Sequence, residues 1–591
     1  MQLNTKQILY TNKAHCRDCY RCLRHCPVDA IKMNNGQAFV QIEKCILCGR
    51  CLKECPQNAK QFRRDLEVVK DLLKENINVA VSIAPSFPAI FEEWQLNRVP
   101  SLLRKLGFSF VTETAEAAYY TAVETQTLFK NKEKGLCLST SCPSFVDYIE
   151  KYSTDNIESL TPIVSPMIAH ARLIKKKLGE ETKIVFIGPC LAKKAEAERK
   201  EFSGLIDVAL TFTELLEWID EEKIDLKQFE PSEFDSEVFG VARLFPLTGG
   251  MTKTAELETD NLNASVYSMS GIERIKDSIR SFQNTETKIF IEPLICPSGC
   301  VNGPGLPLAK NIYTRKEKII HHTRSLLKTE SNSSPSTCTV DLNRRFNYSN
   351  EIQKPEFSET QIREVLGETG KINREDQLNC AACGYSSCIE NAKAILMGMV
   401  ESESCIPYMR RLAEQRTDKI IESSPNGIVI LNKNLDIIHM NPAFKKFFMC
   451  TNSIIGKRIS YLMDPEPFVN VKESEVKNIK ITQHHSNYGI TCHQLIYKMP
   501  EEDQYIGIFV DISENIINVE KLDTLRKDTI NKAEELLEHQ IEMAQQLAKL
   551  LGESTAKGES LVENLLKITQ DEKMQNYSRK KNWLWDTRTS K

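Results

Sequence analysis

Eight of the chain's 20 cysteines lie between residues 16 and 55, in two copies of one pattern. The first copy is Cys16, Cys19, Cys22 and Cys26, followed by Pro27. The second is Cys45, Cys48, Cys51 and Cys55, followed by Pro56. Both read C-x2-C-x2-C-x3-C-P. Soft thiolates suit iron–sulfur clusters, and three closely spaced cysteines can wrap one cube. Two structural zinc sites are the alternative, but zinc ribbons use two-cysteine knuckles rather than runs of four with a trailing proline. The spacing predicts that the chain begins as an electron wire.

The runs resemble those of bacterial two-cluster ferredoxins, where the fourth cysteine of each run ligates the other cluster. The resemblance implies one 4Fe-4S cluster on Cys16, Cys19, Cys22 and Cys55, and a second on Cys45, Cys48, Cys51 and Cys26.

A length of 591 residues sets an expectation of about four domains. Hydrophobic and charged fractions of 41% and 27% are those of a soluble globular protein, and a net charge of −3 gives no reason to expect nucleic acid or a membrane surface as partner. No apolar run is long enough to span a bilayer, and the first residues lack the apolar core of a signal peptide. The expected location is the cytoplasm. Sixteen cysteines sit in motifs that fit cluster ligation, which needs a reducing compartment. The other four, Cys137, Cys338, Cys450 and Cys492, read as small buried hydrophobes.

Along the chain, residues 1–60 form the two-run module, with a strand over 38–42 after an Asn34-Asn35-Gly36 turn, and 61–76 read as a charged helical connector. From 77 to 325 strands alternate with helices. The runs 78–83, 135–139, 183–187 and 288–292 read as strands, and a helix opens at Ser165-Pro166 and closes near Gly179. This alternation predicts α/β layers with largely parallel strands, and ligands gather beyond the carboxyl ends of such strands. Residues 326–356 are a Ser/Asn/Thr-rich linker, expected to be mobile, and 357–412 a small helical unit with four cysteines. Residues 416–515 mix strands and short helices. Leu522, Thr529, Leu536, Met543 and Leu550 repeat every seven residues, so 516–572 read as a coiled coil or as one amphipathic helix packed on its own domain; 573–591 form a tail. The expected fold class is multidomain α/β and α+β.

Within 77–325, Cys142, Cys190, Cys296 and Cys300 occur in the loops S-T-S-C-P-S-F, G-P-C-L-A-K-K-A-E and I-E-P-L-I-C-P-S-G-C-V-N-G-P-G. Four thiolates brought together by a fold can hold a cube. In order and spacing these loops resemble the three signatures of the FeFe hydrogenases. The resemblance implies an H-cluster: a 4Fe-4S cube on these four cysteines, with Cys300 bridging to a di-iron unit that carries CO, CN and a dithiolate. It makes Lys193 the donor to a cyanide, whereas Lys194 reads as a surface group; the alternative for Lys193 is an ordinary helix-surface lysine. Ala84, Pro85 and Ser86 resemble the first loop that walls the site.

The chain departs from the family where protons move. Ser141 stands where the enzymes carry a cysteine that passes protons to the di-iron unit, and a hydroxyl is a far weaker acid than a thiol that titrates near 8.5. Of the acids that continue the path, only Glu124 remains in the stretch Ala122 to Leu128. Gly188 and Leu294 replace two methionines near the site.

Cys380, Cys383, Cys388 and Cys405 resemble a small four-cysteine iron–sulfur domain, with a zinc knuckle as the alternative; Gly384 is expected to let the backbone approach its cube closely. Residues 416–515 resemble a PAS sensory domain of unknown ligand, in which His439, His484, His485 and His493 are either haem ligands or ordinary surface and core groups. The whole resembles the sensory class of FeFe hydrogenases. The resemblance implies an anaerobic protein with ferredoxin-hydrogenase chemistry at low turnover, which binds or slowly oxidises H2 and relays redox state through the PAS domain to the helix. Its implied partners are H2, an electron carrier such as ferredoxin, a second copy in a homodimer, and a separate phosphatase, kinase or regulator. The alternatives are a fast ferredoxin-linked hydrogenase with PAS regulation, and a non-catalytic redox sensor without the di-iron unit.

Overall fold

The structure is a computed structural model. It describes residues 7–513 apart from 76–77, 258–264, 284, 308–310, 328–337, 347, 354, 474–477 and 500–502, together with Lys532 and Gln540. The coiled-coil expectation over 516–572 and the tail lie, but for those two residues, outside the described residues. The chain divides into two units, 1–401 and 402–591.

The first unit begins with two short antiparallel pairs. Strand β1 (Leu9–Thr11) pairs with β4 (Lys60–Phe62), and β2 (Ile31–Asn34) with β3 (Gln37–Val40), where the sequence places a strand. Asn35 and Gly36 both take positive φ (49° and 65°), as a two-residue hairpin turn requires.

The α/β part holds two parallel sheets rather than one. One has the order β6-β5-β8-β9, from Phe110–Glu113, Val79–Ile83, Lys183–Gly188 and Val208–Thr211. The other has the order β10-β11-β7, from Val266–Ser270, Lys288–Leu294 and Gly135–Leu138. All five residues of β5 are buried, as expected of a parallel strand covered by helices on both faces. The helix Pro166–Leu178 stops at Gly179, whose φ of 102° no longer continues it.

Part of the segment expected to be a mobile linker, 338–346, is held in place. Residues 338–346 lie as a strap on the α/β domain: the Val164 amide donates to the Leu342 carbonyl at 2.8 Å and the Arg344 amide to the Pro162 carbonyl at 3.0 Å. Leu342 is buried in the main core. Polar composition reports exposure of side chains and is blind to this backbone pairing. The helices Glu359–Glu368 and Cys388–Leu396 then pack together in the small cysteine unit.

In the second unit a helix, Ile406–Ser423, leads into an antiparallel sheet of order β13-β12-β16-β15-β14. These strands are Gly427–Leu431 (β12), Ile437–Met440 (β13), Asn478–His485 (β14), Ile490–Met499 (β15) and Gln504–Asp511 (β16). Phe444, Phe448, Phe468 and Phe509 fill its core. Asn441 ties the helix to the sheet: its amide donates to the Ile421 carbonyl at 2.9 Å, and its oxygen accepts from the Ile428 and Phe444 amides.

Candidate metal centre

The four distant cysteines stand on loops that leave the carboxyl ends of three parallel strands. Cys142 follows β7, Cys190 follows β8 and Cys296 follows β11, so both sheets feed one pocket. Cys300 opens a short turn just beyond. The four thiols are close enough to repel one another: Cys190, Cys300 and Cys142 all raise the pKa of Cys296, and Cys142 and Cys190 raise that of Cys300. Burial is the larger cause in each case, and it lifts Cys190 to about 12. Bare thiolates crowded in a dry site are unstable unless a positive core sits among them. Among the described residues, no three His, Cys, Asp or Glu side chains close in on a single metal ion. Four sulfurs on one zinc would stand about 3.8 Å apart, from a bond length near 2.3 Å. A second sign is Ser86 in the loop after β5, wholly buried, whose hydroxyl has no partner among the described residues.

Lys193 is held beside this pocket. Its Nζ donates to Ser165 Oγ at 2.8 Å and to Glu196 Oε2 at 2.7 Å, and it lowers the pKa of Cys142, Cys190 and Cys300. Lys194, read as the surface group, is the more buried of the two at 2% exposure: it donates to Asp65 Oδ2 at 2.8 Å and to Glu214 Oε1 at 3.0 Å. Those partners lie 129 and 20 residues away in the chain, which is why local pattern does not show the burial.

Ser141 Oγ stands 3.3 Å from Ser139 Oγ. Glu124 lies close enough to Cys338, at the start of the strap, to raise its pKa. At Gly188 a Cβ would stand 2.6 Å from the Phe186 ring and 3.2 Å from Ala84 Cβ, so the ring fills the place of the missing side chain.

The two N-terminal runs cross over. Cys16, Cys19 and Cys55 act on Cys22, whereas Cys45, Cys48 and Cys26 act on Cys51. Backbone amides of Ala30, Leu47 and Ala59 donate to the sulfurs of Cys26, Cys45 and Cys55 at 3.2–3.3 Å. Cys26, Cys45, Cys48 and Cys142 border one apolar cluster, so one quartet adjoins the α/β pocket. Gly49 (φ +68°) meets Pro304 there, and Lys53 bonds Asn302 and acts on Cys296.

Cys380, Cys383 and Cys388 lie in the first unit and Cys405 in the second. Gly384 (φ +94°) is tight against the N-terminal module: a Cβ would meet Leu23 Cδ2 at 2.5 Å and Arg24 Cα at 3.0 Å. Tyr385 beside it is acted on by Cys383 and Cys26, and its buried hydroxyl has no partner among the described residues. Cys405 caps the 18-residue helix Ile406–Ser423. In the sheet domain His485 packs between Phe448 and Phe509, and His484 and His493 bond the hydroxyls of Thr491 and Thr482. His439 sits 3.8 Å from Glu422. Cys137 and Cys492 are buried, as expected of small hydrophobes.

The residues that sequence reasoning missed are Ser165, Glu196, Phe186 and Arg344. Glu196 was within reach, because an acid three residues after a lysine on a helix shares its face.

Residues 77–304 match the family model of the iron only hydrogenase large subunit, C-terminal domain, and residues 8–56 that of a 4Fe-4S dicluster domain. Residues 376–407 match a putative Fe-S cluster domain, and 415–479 a PAS domain. The NADP-reducing hydrogenase subunit HndD of Solidesulfovibrio fructosivorans is 27% identical over 303 residues, 41% of this chain and 52% of that protein. Iron hydrogenase 1 of Clostridium pasteurianum is 27% identical over 287 residues, 39% of this chain and 50% of that protein. The cytosolic iron-sulfur assembly component 3 of Pongo abelii is 23% identical over 349 residues, 48% of this chain and 73% of that protein. The chain thus spans about half the length of these two hydrogenases. It carries a hydrogenase-type α/β domain, a ferredoxin-like module, a further iron–sulfur domain and a PAS domain. No described helix is long and apolar enough to cross a membrane.

Proposed function

We propose that this protein is a hydrogen-responsive redox sensor, in which a hydrogenase-type site works slowly and reports to the PAS half. The observation that carries the reading is the pairing of a retained anchor with a lost proton donor. Lys193 is held at 2.7–2.8 Å by Glu196 and Ser165 beside four mutually interacting thiols, while Ser141 occupies the proton-passing position.

In this reading Cys142, Cys190, Cys296 and Cys300 hold the site cube and bridge, and Ala84, Pro85 and Ser86 wall it. Cys16, Cys19, Cys22 and Cys55 hold one accessory cluster, and Cys26, Cys45, Cys48 and Cys51 another. Cys380, Cys383, Cys388 and Cys405 hold a further one. The domains are 1–60, 77–325, 357–412 and 416–515, with a signalling helix over 516–572. The bound di-iron unit supplies the splitting of H2 into protons and electrons. Lys193 supplies a fixed ammonium to an anionic ligand in a dry pocket. Ser141 offers a hydroxyl that holds its proton at neutral pH, so proton exit is slow. Electrons have a short way out, because Cys142 and three members of the quartet, Cys26, Cys45 and Cys48, adjoin one apolar cluster.

On the output side, Cys405 and the sheet are joined by one helix of 18 residues, about 27 Å long at 1.5 Å per residue. Asn441 holds its far end, so strain at the cysteine reaches the sheet through a stiff element. The partners are an electron carrier, a separate signalling protein and a second copy of the chain, in the cytoplasm. The test is exposure of the anaerobic, matured full chain to H2. Bleaching of cluster absorbance together with slow steady-state uptake supports a sensor. Fast uptake with a ferredoxin acceptor makes it a working hydrogenase.

One observation favours a second reading, a cube-bearing redox protein without the di-iron unit. The Phe186 ring leaves no space for a methyl group at Gly188 in the wall of the pocket. No spectral response to H2 in protein co-expressed with maturation enzymes would select it.

A further inference from the structure

Lys193 reaches the pocket from a buried network of charge that extends well beyond the site. Glu196, wholly buried, gives Oε2 to Lys193 at 2.7 Å; its other oxygen has no hydrogen bond among the described residues and faces Arg344 Nη1 at 4.0 Å. Arg344 lies among three carboxylates, with Glu201 at 3.0 Å and Glu150 and Glu196 at 4.0 Å, and its side chain is 1% exposed. Its guanidinium also stacks over Phe202 and Phe346, at 5.2 and 4.9 Å from the ring centres. Arg199 neutralises Glu150 and Asp147 from the other side. The network therefore has four acids, Asp147, Glu150, Glu196 and Glu201, against Arg199, Arg344 and Lys193. Removal of one cation from such a set leaves a buried carboxylate to be shared by the rest.

Arg344 arrives on the strap 338–346, and the strap touches the second holder of Lys193 as well. Val164, whose amide donates to Leu342, immediately precedes Ser165, whose hydroxyl accepts from Lys193. Ile163 bridges to Asn343, and its carbonyl accepts from Thr140 Oγ1 at 2.7 Å, in the loop that carries Ser141 and Cys142. Both anchors of one ammonium thus lean on a single nine-residue segment, which lies in the chain between the α/β domain and the small cysteine unit.

We infer that Arg344, delivered by the strap, is a positioning residue for Lys193: it shares the charge of Glu196, so that the ammonium stays between Glu196 and Ser165 rather than collapsing onto the carboxylate. Without Arg344, Glu196 has one cation instead of two and draws Lys193 away from the pocket. The consequence for a cyanide on the di-iron unit rests on the functional reading above; the consequence for the protein around Lys193 does not.

The test uses the full chain, anaerobically reconstituted, as Arg344→Met, Arg344→Lys and Lys193→Met. In hydrogen–deuterium exchange, Arg344→Met loses protection in the segments 161–170 and 190–197, and Arg344→Lys keeps it. In matured protein, Arg344→Met shifts the cyanide stretching bands in the direction that Lys193→Met shifts them and by less, and Arg344→Lys restores them. Wild-type exchange in Arg344→Met overturns the inference. So does lost protection with unshifted bands, since the arginine then serves the fold alone. Absence of cyanide bands in the wild type refutes the functional reading instead, and exchange alone then decides the role of Arg344. Should Arg344→Met not fold, the pair Arg344→Met with Glu196→Gln, which removes the charge to be balanced, folds if the inference holds; failure of that pair overturns it.

Discussion

Lys193 and Lys194 are neighbours in the chain, yet they enter two separate buried networks: Lys193 bonds Ser165 and Glu196 beside the metal pocket, and Lys194 bonds Asp65 and Glu214 at the join with the N-terminal module. Two consecutive side chains of the short helix Ala192–Ala197 thus belong to two different networks.

Lys194→Met leaves the carboxylates of Asp65 and Glu214 buried beside an apolar chain. Breaking a buried pair from one side costs about 3–5 kcal/mol, so the α/β domain melts markedly earlier. Lys194→Met combined with Glu214→Gln recovers part of the loss. Thermal unfolding of the reconstituted single and double variants measures both effects.

Gly188→Ala places a methyl carbon 2.6 Å from the Phe186 ring. Overpacking of this kind costs about 1–3 kcal/mol. The same substitution in a Phe186→Leu background is close to neutral, because the obstacle has gone. A double-mutant cycle in urea shows the coupling as a cost of Gly188→Ala that disappears in the Phe186→Leu background.

On the function proposed above, Ser141→Cys supplies a thiol at the proton-passing position. A positioned acid–base group is worth roughly 10²- to 10⁴-fold in rate, so hydrogen uptake rises by a factor in that range. Uptake with an artificial acceptor measures it, and an unchanged rate removes proton exit as the limiting step.

His322 is 7% exposed, its ring stands 5.4 Å from that of Phe87, and its Nε2 has no hydrogen-bond partner among the described residues. Burial, helped by Arg243 and His321, lowers its pKa from 6.5 to about 4. The unfolded chain then takes up a proton near pH 6.5 and the folded chain only near pH 4, so stability is complete above 6.5 and falls as pH drops through that window. At about pH 5.5 the loss is roughly 1.4 kcal/mol, one pKa unit. Denaturation at pH 7 and 5.5 checks this, and His322→Leu flattens the difference.

Much of the architecture was legible because it is written in local pattern. The β-branched runs at 79–83 and 183–187 announce buried strands, and the prolines after them announce the loops that carry Cys190 and the pocket wall. The strands at 110–113, 208–211 and 266–270 escaped because no proline follows them closely. Charge burial was not legible at all. Lys194 and Arg344 look like surface residues in sequence, and only partners far along the chain make their burial tolerable. The strap escaped for a related reason: its hold on the domain runs through backbone groups, which every residue possesses.

The most direct test of the hydrogen-sensing account is infrared spectroscopy of the anaerobically matured full chain, before and after exposure to H2. The account predicts stretching bands of bound CO and CN that change under hydrogen, in protein whose steady-state uptake stays slow. Matured protein with full cube iron but no such bands would contradict it.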